Sequence, residues 1–342
     1  MRMTKKLGKI ATAGLMLLGL ATAATADTSP NDPYRQPALS SLKGKKIAYL
    51  PISIGFDLAQ AWGGVIKNQA ALYGMSFKSQ DPNWSTDAMA QGMTALVAEH
   101  PDVIVTQNPD MQSLARLLKM ANSQGIIVVQ LNMQGAVQTD AFIGPDFIAM
   151  GDQEANMMLK RCGAGTQTSH KVGIVQGVLT GGVSFYQIQG ITNVFSKHPE
   201  IKVVSSQAAD WDASKARAIT ETVLRQNPDL CGIIDVWDGQ GIGTGAAIKQ
   251  AGKQGKVYFI TSGGGAQSMC DGLADGTYSA VIDYDAPGMG RDAWTAIMVA
   301  LQNKKGAGAL KTQIYSPTRV MTASDVRPGT CWDAQQYAKI LR

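Results

Sequence analysis

The sequence is poor in the side chains that do chemistry. It holds only three histidines, His100, His170 and His198, scattered beside element ends, and none stands where a serine or cysteine triad needs one. Its four cysteines, Cys162, Cys231, Cys270 and Cys331, include no C-x-x-C spacing, which removes the zinc and redox readings. No G-x-S-x-G elbow precedes a helix. No catalytic residue, no metal and no cofactor is therefore expected, and an enzyme is a weak second class. Charge is also scarce: the formal net charge is +5, and Arg2, Lys5, Lys6 and Lys9 supply four of the positive charges. The rest of the chain is near neutral, which argues against nucleic acid as a partner. The one prominent apolar run, Ile10 to about Leu20, falls well short of the roughly 20 residues a spanning helix needs.

What the first residues do contain is a three-part leader. A basic start is followed by that apolar run and then by Ala24-Thr25-Ala26 before Asp27. This is the pattern of a secretory signal peptide over residues 1–26, cleaved after Ala26. No cysteine ends the apolar run, which argues against lipoprotein processing. The 342-residue chain less its leader has the length of roughly two domains, and 45% hydrophobic residues let each bury a core. Four cysteines in an exported chain point to disulfides, with three pairings open.

Short apolar strands alternate with amphipathic helices. Lys46-Ile47-Ala48-Tyr49-Leu50 reads as a strand, and Ala59, Trp62, Ile66, Ala70 and Tyr73 at helical spacing read as the helix after it, ended by Gly74. Strands follow at 75–78, 102–105, 126–129 and 141–144, with helices over 86–99 and 113–123. The rhythm restarts with strands at 171–175, 202–205, 232–236, 257–260 and 279–282, and helices over 184–197, 213–226 and 242–250. Strand–helix alternation implies βαβ units and parallel sheets covered on both faces. The fold class is α/β, with two doubly wound lobes in tandem. A further amphipathic helix over 291–301 has no sheet left to follow, so the chain is expected to return to the first lobe near residues 285–288. Ligands of open α/β sheets bind beyond the carboxyl ends of the strands, which puts the site in the cleft between lobes.

Two signals point elsewhere and are weak. Gly241-x-Gly243-x-x-Ala246 follows a strand and opens a helix, as in a dinucleotide fingerprint, but the next strand ends in Thr261-Ser262, without the acid that would hold a ribose. Small residues that let a helix pack closely are the better reading. The run Gly263-Gly264-Gly265 after Ser262 reads as a flexible turn before it reads as an anion nest.

Gln207-Ala208-Ala209-Asp210-Trp211-Asp212, with Leu224-Arg225-Gln226-Asn227-Pro228-Asp229 closing the next helix, Lys119-Met120-Ala121-Asn122 before Gly125-Ile126, and Ala274-Asp275-Gly276-Thr277 before a strand resemble, in that order, the ribose-binding protein family of type I periplasmic binding proteins. The resemblance spans nearly the whole mature chain. It implies two lobes joined by a three-crossing hinge, closing on a sugar or polyol and docking on an ABC permease in the inner membrane. The lactose-repressor family shares the fold but carries a DNA-binding helix-turn-helix where this chain has its leader. The implied lobes are 45–144 with 288–312, and 145–285, with a return strand and tail over 313–342. The hinge crossings would lie near 144–145, 285–287 and 316–317.

At the ligand positions the chain departs from the family. The usual Asp-Arg after the fourth strand reads Asn132-Met133. An arginine early in the second lobe falls on Phe185, the usual Asn-Asp reads Trp237-Asp238, an aspartate reads near Ser262, and the hinge glutamine reads Tyr284. Trp211 keeps the family's stacking aromatic, Asn108 keeps a polar position, and the aromatic pair after the first strand shrinks to Phe56, followed by Asp57. Charged forks that orient vicinal hydroxyls have given way to flat aromatic faces, which suit the apolar side of a polyol, an aromatic compound or an alkylammonium. A small neutral sugar-like or polyol ligand ranks first, an aromatic or cationic molecule second, and a sensory role for the same fold stays open. The protein is expected to be a periplasmic monomer. Cys162 ends the helix before the second lobe's first strand and Cys231 enters its third, which neighbours the first in a 2-1-3-4-5 sheet. That order favours Cys162 with Cys231 and leaves Cys270 with Cys331.

Overall fold

The structure, a computed structural model, describes residues 32–341; the expected signal peptide and its cleavage site lie outside them. The strands are β1 (Lys46–Leu50), β2 (Ser76–Ser79), β3 (Val103–Thr106), β4 (Ile127–Leu131), β5 (Ala141–Gly144), β6 (Lys171–Gln176), β7 (Lys202–Ala208), β8 (Gly232–Asp235), β9 (Tyr258–Gly263), β10 (Ala280–Asp283), β11 (Thr312–Tyr315) and β12 (Arg319–Met321). The helices are α1 (Arg35–Leu42), α2 (Asp57–Leu72), α3 (Thr86–Glu99), α4 (Ala115–Ser123), α5 (Phe147–Cys162), α6 (Gly182–Phe195), α7 (Ala213–Gln226), α8 (Asp238–Gln250), α9 (Gln267–Ala274), α10 (Ala286–Gln302) and α11 (Ala334–Leu341).

Two six-stranded sheets result, ordered β11-β5-β4-β3-β1-β2 and β12-β10-β9-β8-β6-β7. All pairings are parallel except β12 on β10. Inner strands such as β3, β8 and β10 are buried at every position, as parallel strands covered by helices on both faces must be. The edge strand β2 alternates exposed and half-buried instead. Side chains cap the helices where the sequence allows: Ser85 accepts from Ala88 N–H, Asp146 from Ala149, Asp212 from Ser214 and Lys215, and Asp285 from Gly288. Each satisfies N–H groups that the first turn leaves without a helical partner.

The N-lobe buries one continuous apolar core around Tyr49, Trp62, Met93, Ile104 and Ile297. The C-lobe divides its core between the two faces of its sheet, with Ile233 and Phe259 in one cluster and Ile234 and Ile260 in the other, as the two-residue period of a strand dictates. Disulfides join Cys162 to Cys231 and Cys270 to Cys331. Gly241 and Gly243 lie inside α8 rather than in a phosphate loop. A Cβ on Gly243 would stand 1.7 Å from the carbonyl oxygen of Ala213, so this glycine is there to let α8 meet α7.

The chain passes between lobes after β5, where α5 packs on α6; after β10, where α10 packs on α2, β4 and β5; and between β11 and β12. A fourth passage follows. Cys331 is bound to Cys270 of the C-lobe, and α11 packs on α2 of the N-lobe.

Candidate ligand-binding cleft

The carboxyl ends of both sheets face one cavity. The N-lobe contributes Ile52, Phe56, Leu58, Trp84, Gln107, Asn132 and Met133 from the segments after its strands; across the cleft stand Val183, Trp211, Val236 and Trp237, with Phe147 and Tyr284 at the crossings. The cavity is narrow, about 30 Å³, room for only a few water molecules. The lobes are drawn together and their aromatic walls touch. Phe56 meets Trp237 edge-on at 5.9 Å between centroids, Trp84 lies 6.2 Å from Trp237 and 5.1 Å from Phe56, and Trp211 stands at 77° to Trp237 at 6.1 Å. These are the edge-to-face and tilted geometries that aromatic rings prefer. The backbone latches the far lip as well, where Met111 N–H donates to the Thr180 carbonyl at 3.0 Å.

Glycines make room for the two C-lobe indoles. A Cβ on Gly177 would lie 2.0 Å from the Trp211 ring, and one on Gly239 would lie 2.2 Å from the Trp237 ring. Trp211 itself holds φ of 65°, next to Asp210 at 54°. Two successive non-glycine residues in the left-handed region cost energy, and the result is an indole turned into the cleft.

Polar groups in and around the cavity include two donors with no partner among the described residues and a cluster of acids. Asn132 is 5% exposed, and among the described residues its Nδ2 has no hydrogen-bond partner; neither has Nε1 of Trp237. Gln107 is fixed by accepting from Ile52 N–H at 3.0 Å. Asp57 and Asp238 open α2 and α8 from opposite lobes, and among the described residues neither forms an ion pair. Burial, and then the nearby Asp57 carboxylate, hold Asp238 well above the usual carboxylate range, and burial raises Asp57 too. Asp283 is also raised by burial, although Arg319 reaches it at 2.8 Å. Burial raises Tyr284, with the charges of Asp238, Asp57 and Asp283 adding to it. Such a site can stack the C–H face of a small ring or chain, donate from an amide and an indole, and accept from hydroxyls. Among the described residues lining the cavity, no nucleophile stands beside a base.

One supporting acid was not singled out in the sequence. Asp235, at the end of β8, accepts from Gln240 Nε2 and Thr244 Oγ1 at 2.7 Å each and from the Trp237 backbone N–H at 3.3 Å. It shapes the turn that presents Trp237, and burial lifts its carboxyl to about 7.

Of the residues named from the sequence, the cavity gathers Phe56, Asn132, Met133, Trp211, Trp237 and Tyr284, with Asp57 and Asp238 beside them in the chain. Three stand elsewhere. Asn108 is buried behind the cavity, where its Nδ2 donates to Gln130 Oε1 and the Met133 carbonyl, so it shapes the Asn132–Met133 turn. Ser262 spends its hydroxyl on the Val236 carbonyl at 2.8 Å. Phe185 is 56% exposed and lies edge-on to Tyr186. Because α6 starts at Gly182, Val183 points into the cleft and Phe185, two residues on, points away from it. Trp84 is the main addition. Its signal was the Asp81-Pro82-Asn83-Trp84 turn after an edge strand, where Asn83 and Trp84 both take positive φ.

A two-lobed α/β protein with its aromatic site at the lobe interface is a ligand-binding protein of the hinged-cleft kind. Residues 47–305 match the family model described as a periplasmic binding protein domain, and the chain belongs to that family, whose members are binding proteins of ABC transporters and not enzymes. It is 27% identical over 259 residues to a xylitol-binding protein of Mycolicibacterium smegmatis, covering 75% of this chain and 69% of that one. It is 23% identical over 260 residues to the ribose import binding protein RbsB of Bacillus subtilis, covering 75% and 80%. In fold it is similar to an ABC transporter solute-binding protein of Burkholderia graminis solved with D-arabinose, with a TM-score of 0.74, 23% identity, and coverage of 83% of this chain and 97% of the other.

Proposed function

We propose that this protein captures a sugar or polyol between its lobes and delivers it to the permease of an ABC importer in the inner membrane. It acts as a monomer, exported by the leader over residues 1–26 and cleaved after Ala26. The closing units are 45–144 with 288–312, and 145–285. The observation that carries the reading is the cavity itself: aromatic faces from both lobes meet around an amide and an indole N–H that have no partner among the described residues. A buried donor left unpaired costs about 1–3 kcal/mol, and a polyol hydroxyl placed there removes that cost. Because each lobe supplies part of the wall, ligand favours the closed form, and closure is what a permease can read. The relatives' xylitol, ribose and arabinose set the first compounds to test.

The mature protein from Asp27 is titrated calorimetrically with xylitol, D-ribose, D-arabinose and D-allose, with melting temperature followed in parallel. A ligand at a hundredfold excess over its Kd stabilises by about 2.7 kcal/mol. Trp237→Ala, which removes a wall and a donor together, is expected to weaken the best ligand at least tenfold while the fold is kept. Silence across sugars and polyols, with a folded protein, would overturn the ligand class.

A further inference from the structure

The tail beyond β12 is fastened to both lobes. On the C-lobe side Trp332 is stitched to the loop after β9. Its N–H donates to the Gly265 carbonyl at 3.0 Å, its Nε1 donates to the Gly264 carbonyl at 2.6 Å, and its own carbonyl accepts from Gln267 N–H at 2.9 Å. The Cys270–Cys331 disulfide holds the preceding residue to α9. On the N-lobe side α11 lies on α2 at backbone contact. A Cβ on Gly64 would stand 3.2 Å from the Tyr337 carbonyl oxygen, and one on Gly63 would stand 2.8 Å from Leu341 Cδ1. Lys67 Nζ also reaches the Leu341 carbonyl at 3.0 Å.

Only Asp333 separates Trp332 from α11. One residue of chain spans at most about 3.3–3.6 Å, so there is almost no slack between the anchors. A lobe rotation that parts them further has to break the Trp332 hydrogen bonds or unseat α11. The loop that Trp332 grips also belongs to the cleft region. A Cβ on Gly263 would meet the Asp238 carboxylate at 2.3 Å, and one on Gly264 would meet Leu58 of the opposite lobe at 2.2 Å.

We propose that residues 331–341 form a fourth hinge connection, a strap that limits how far the cleft opens, with Trp332 as the positioning residue that couples it to the loop at 263–265. The strap adds a stop to the three backbone crossings. It keeps the ligand-free protein closer to the closed form, so less of the binding energy goes into bringing the lobes together.

The test needs no ligand, so it stands apart from the choice of sugar. Spin labels on unnatural amino acids, one on each lobe, report the inter-lobe distance distribution of the mature protein by pulsed EPR. The informative variant inserts Gly-Ser-Gly-Ser after Asp333, which leaves both anchors intact and gives the strap slack. It is expected to raise the population of wide distances several-fold while the melting temperature holds. Truncation after Thr330 should widen the distribution at least as much. Trp332→Phe, which keeps the ring packing and loses the Nε1 hydrogen bond, should fall between the parent and the insertion. A tail that merely covers α2 would lower the melting temperature on truncation and leave the insertion variant with the parent's distances; that outcome overturns the proposal.

Discussion

The two lobes repeat one strand order and hold themselves together differently. The N-lobe fills its interior with large side chains: Trp62, Tyr49, Met89, Met93 and Ile104 are fully buried in one core. The C-lobe has fewer such groups, Phe259 being the bulkiest fully buried. It brings helix backbones closer together than the N-lobe does. A Cβ on Gly151 of α5 would stand 2.0 Å from the Gln187 carbonyl oxygen, and one on Gly190 of α6 would stand 2.1 Å from that of Ile148. Glycine contacts of this kind give up apolar burial and cost backbone entropy on folding. Both disulfides lie in or on this lobe, and so do two fully buried carboxyl groups, Glu154 and Asp235. One architecture is thus stabilised by volume in one half and by cross-links in the other.

Removing a cross-link is the most direct way to break that comparison. Cys162–Cys231 closes a loop with a sequence separation of 69, and loss of a native disulfide of this kind costs about 2–5 kcal/mol. Cys162→Ser with Cys231→Ser should lower C-lobe stability by that amount. Hydrogen exchange should show faster opening of β6 and β8, which flank the bridge, and little change in β1 and β3. Equal loss of protection in both lobes would mean that they unfold as one unit and that the contrast has no energetic content.

A smaller effect is expected where the C-lobe relies on glycine. Gly151→Ala places a methyl group against the backbone of α6, with no flexible side chain to yield. Forcing α5 and α6 apart should cost about 1–3 kcal/mol, read as a lower denaturation midpoint at unchanged slope. A neutral result would show that the α5–α6 contact has slack and that close backbone approach is not what holds this lobe.

Much of this organisation was legible from residue order. Thr86–Glu99, Ala213–Gln226, Lys46–Leu50 and Ala141–Gly144 were readable to the residue because caps, glycines and apolar periods agree there. The two cysteine pairs read from strand adjacency are the pairs present. Within the site, residues directly after strands were legible, since strand ends are easy to place: Asn132, Trp211, Trp237 and Tyr284 all reach the cavity. Side chains whose direction depends on helix phase were not, and Phe185 pointing outward while Val183 points in is the example. Trp84 was hidden for a different reason, because a loop with positive φ at two residues follows no period. The seat of α11 depended on Gly63 and Gly64, which read as ordinary positions in a helix until their partner is known.

The buried acid pair offers the gentlest probe of the difference between lobes. Glu154 is fully buried, and both its oxygens accept from Gln187 Nε2 at 2.9 and 2.8 Å. Desolvation dominates over that hydrogen bond and raises its carboxyl from 4.5 to about 8. The folded protein therefore keeps a proton on Glu154 across a range where the unfolded chain has released it. Its contribution is fully present below pH 4.5 and is lost as pH rises towards 8, at about 1 kcal/mol per pH unit near neutrality. Asp235, lifted to about 7, adds a slope of the same sign at lower pH. Glu154→Gln keeps the shape and stays neutral, so it should flatten the fall in C-lobe stability between pH 6 and 8 and leave the variant more stable than the parent at pH 8. At pH 5 the two should differ little. A parent and variant with parallel stability–pH curves would mean that Glu154 is ionised in the folded state, and the C-lobe would then owe its pH dependence to Asp235 and the cleft acids alone.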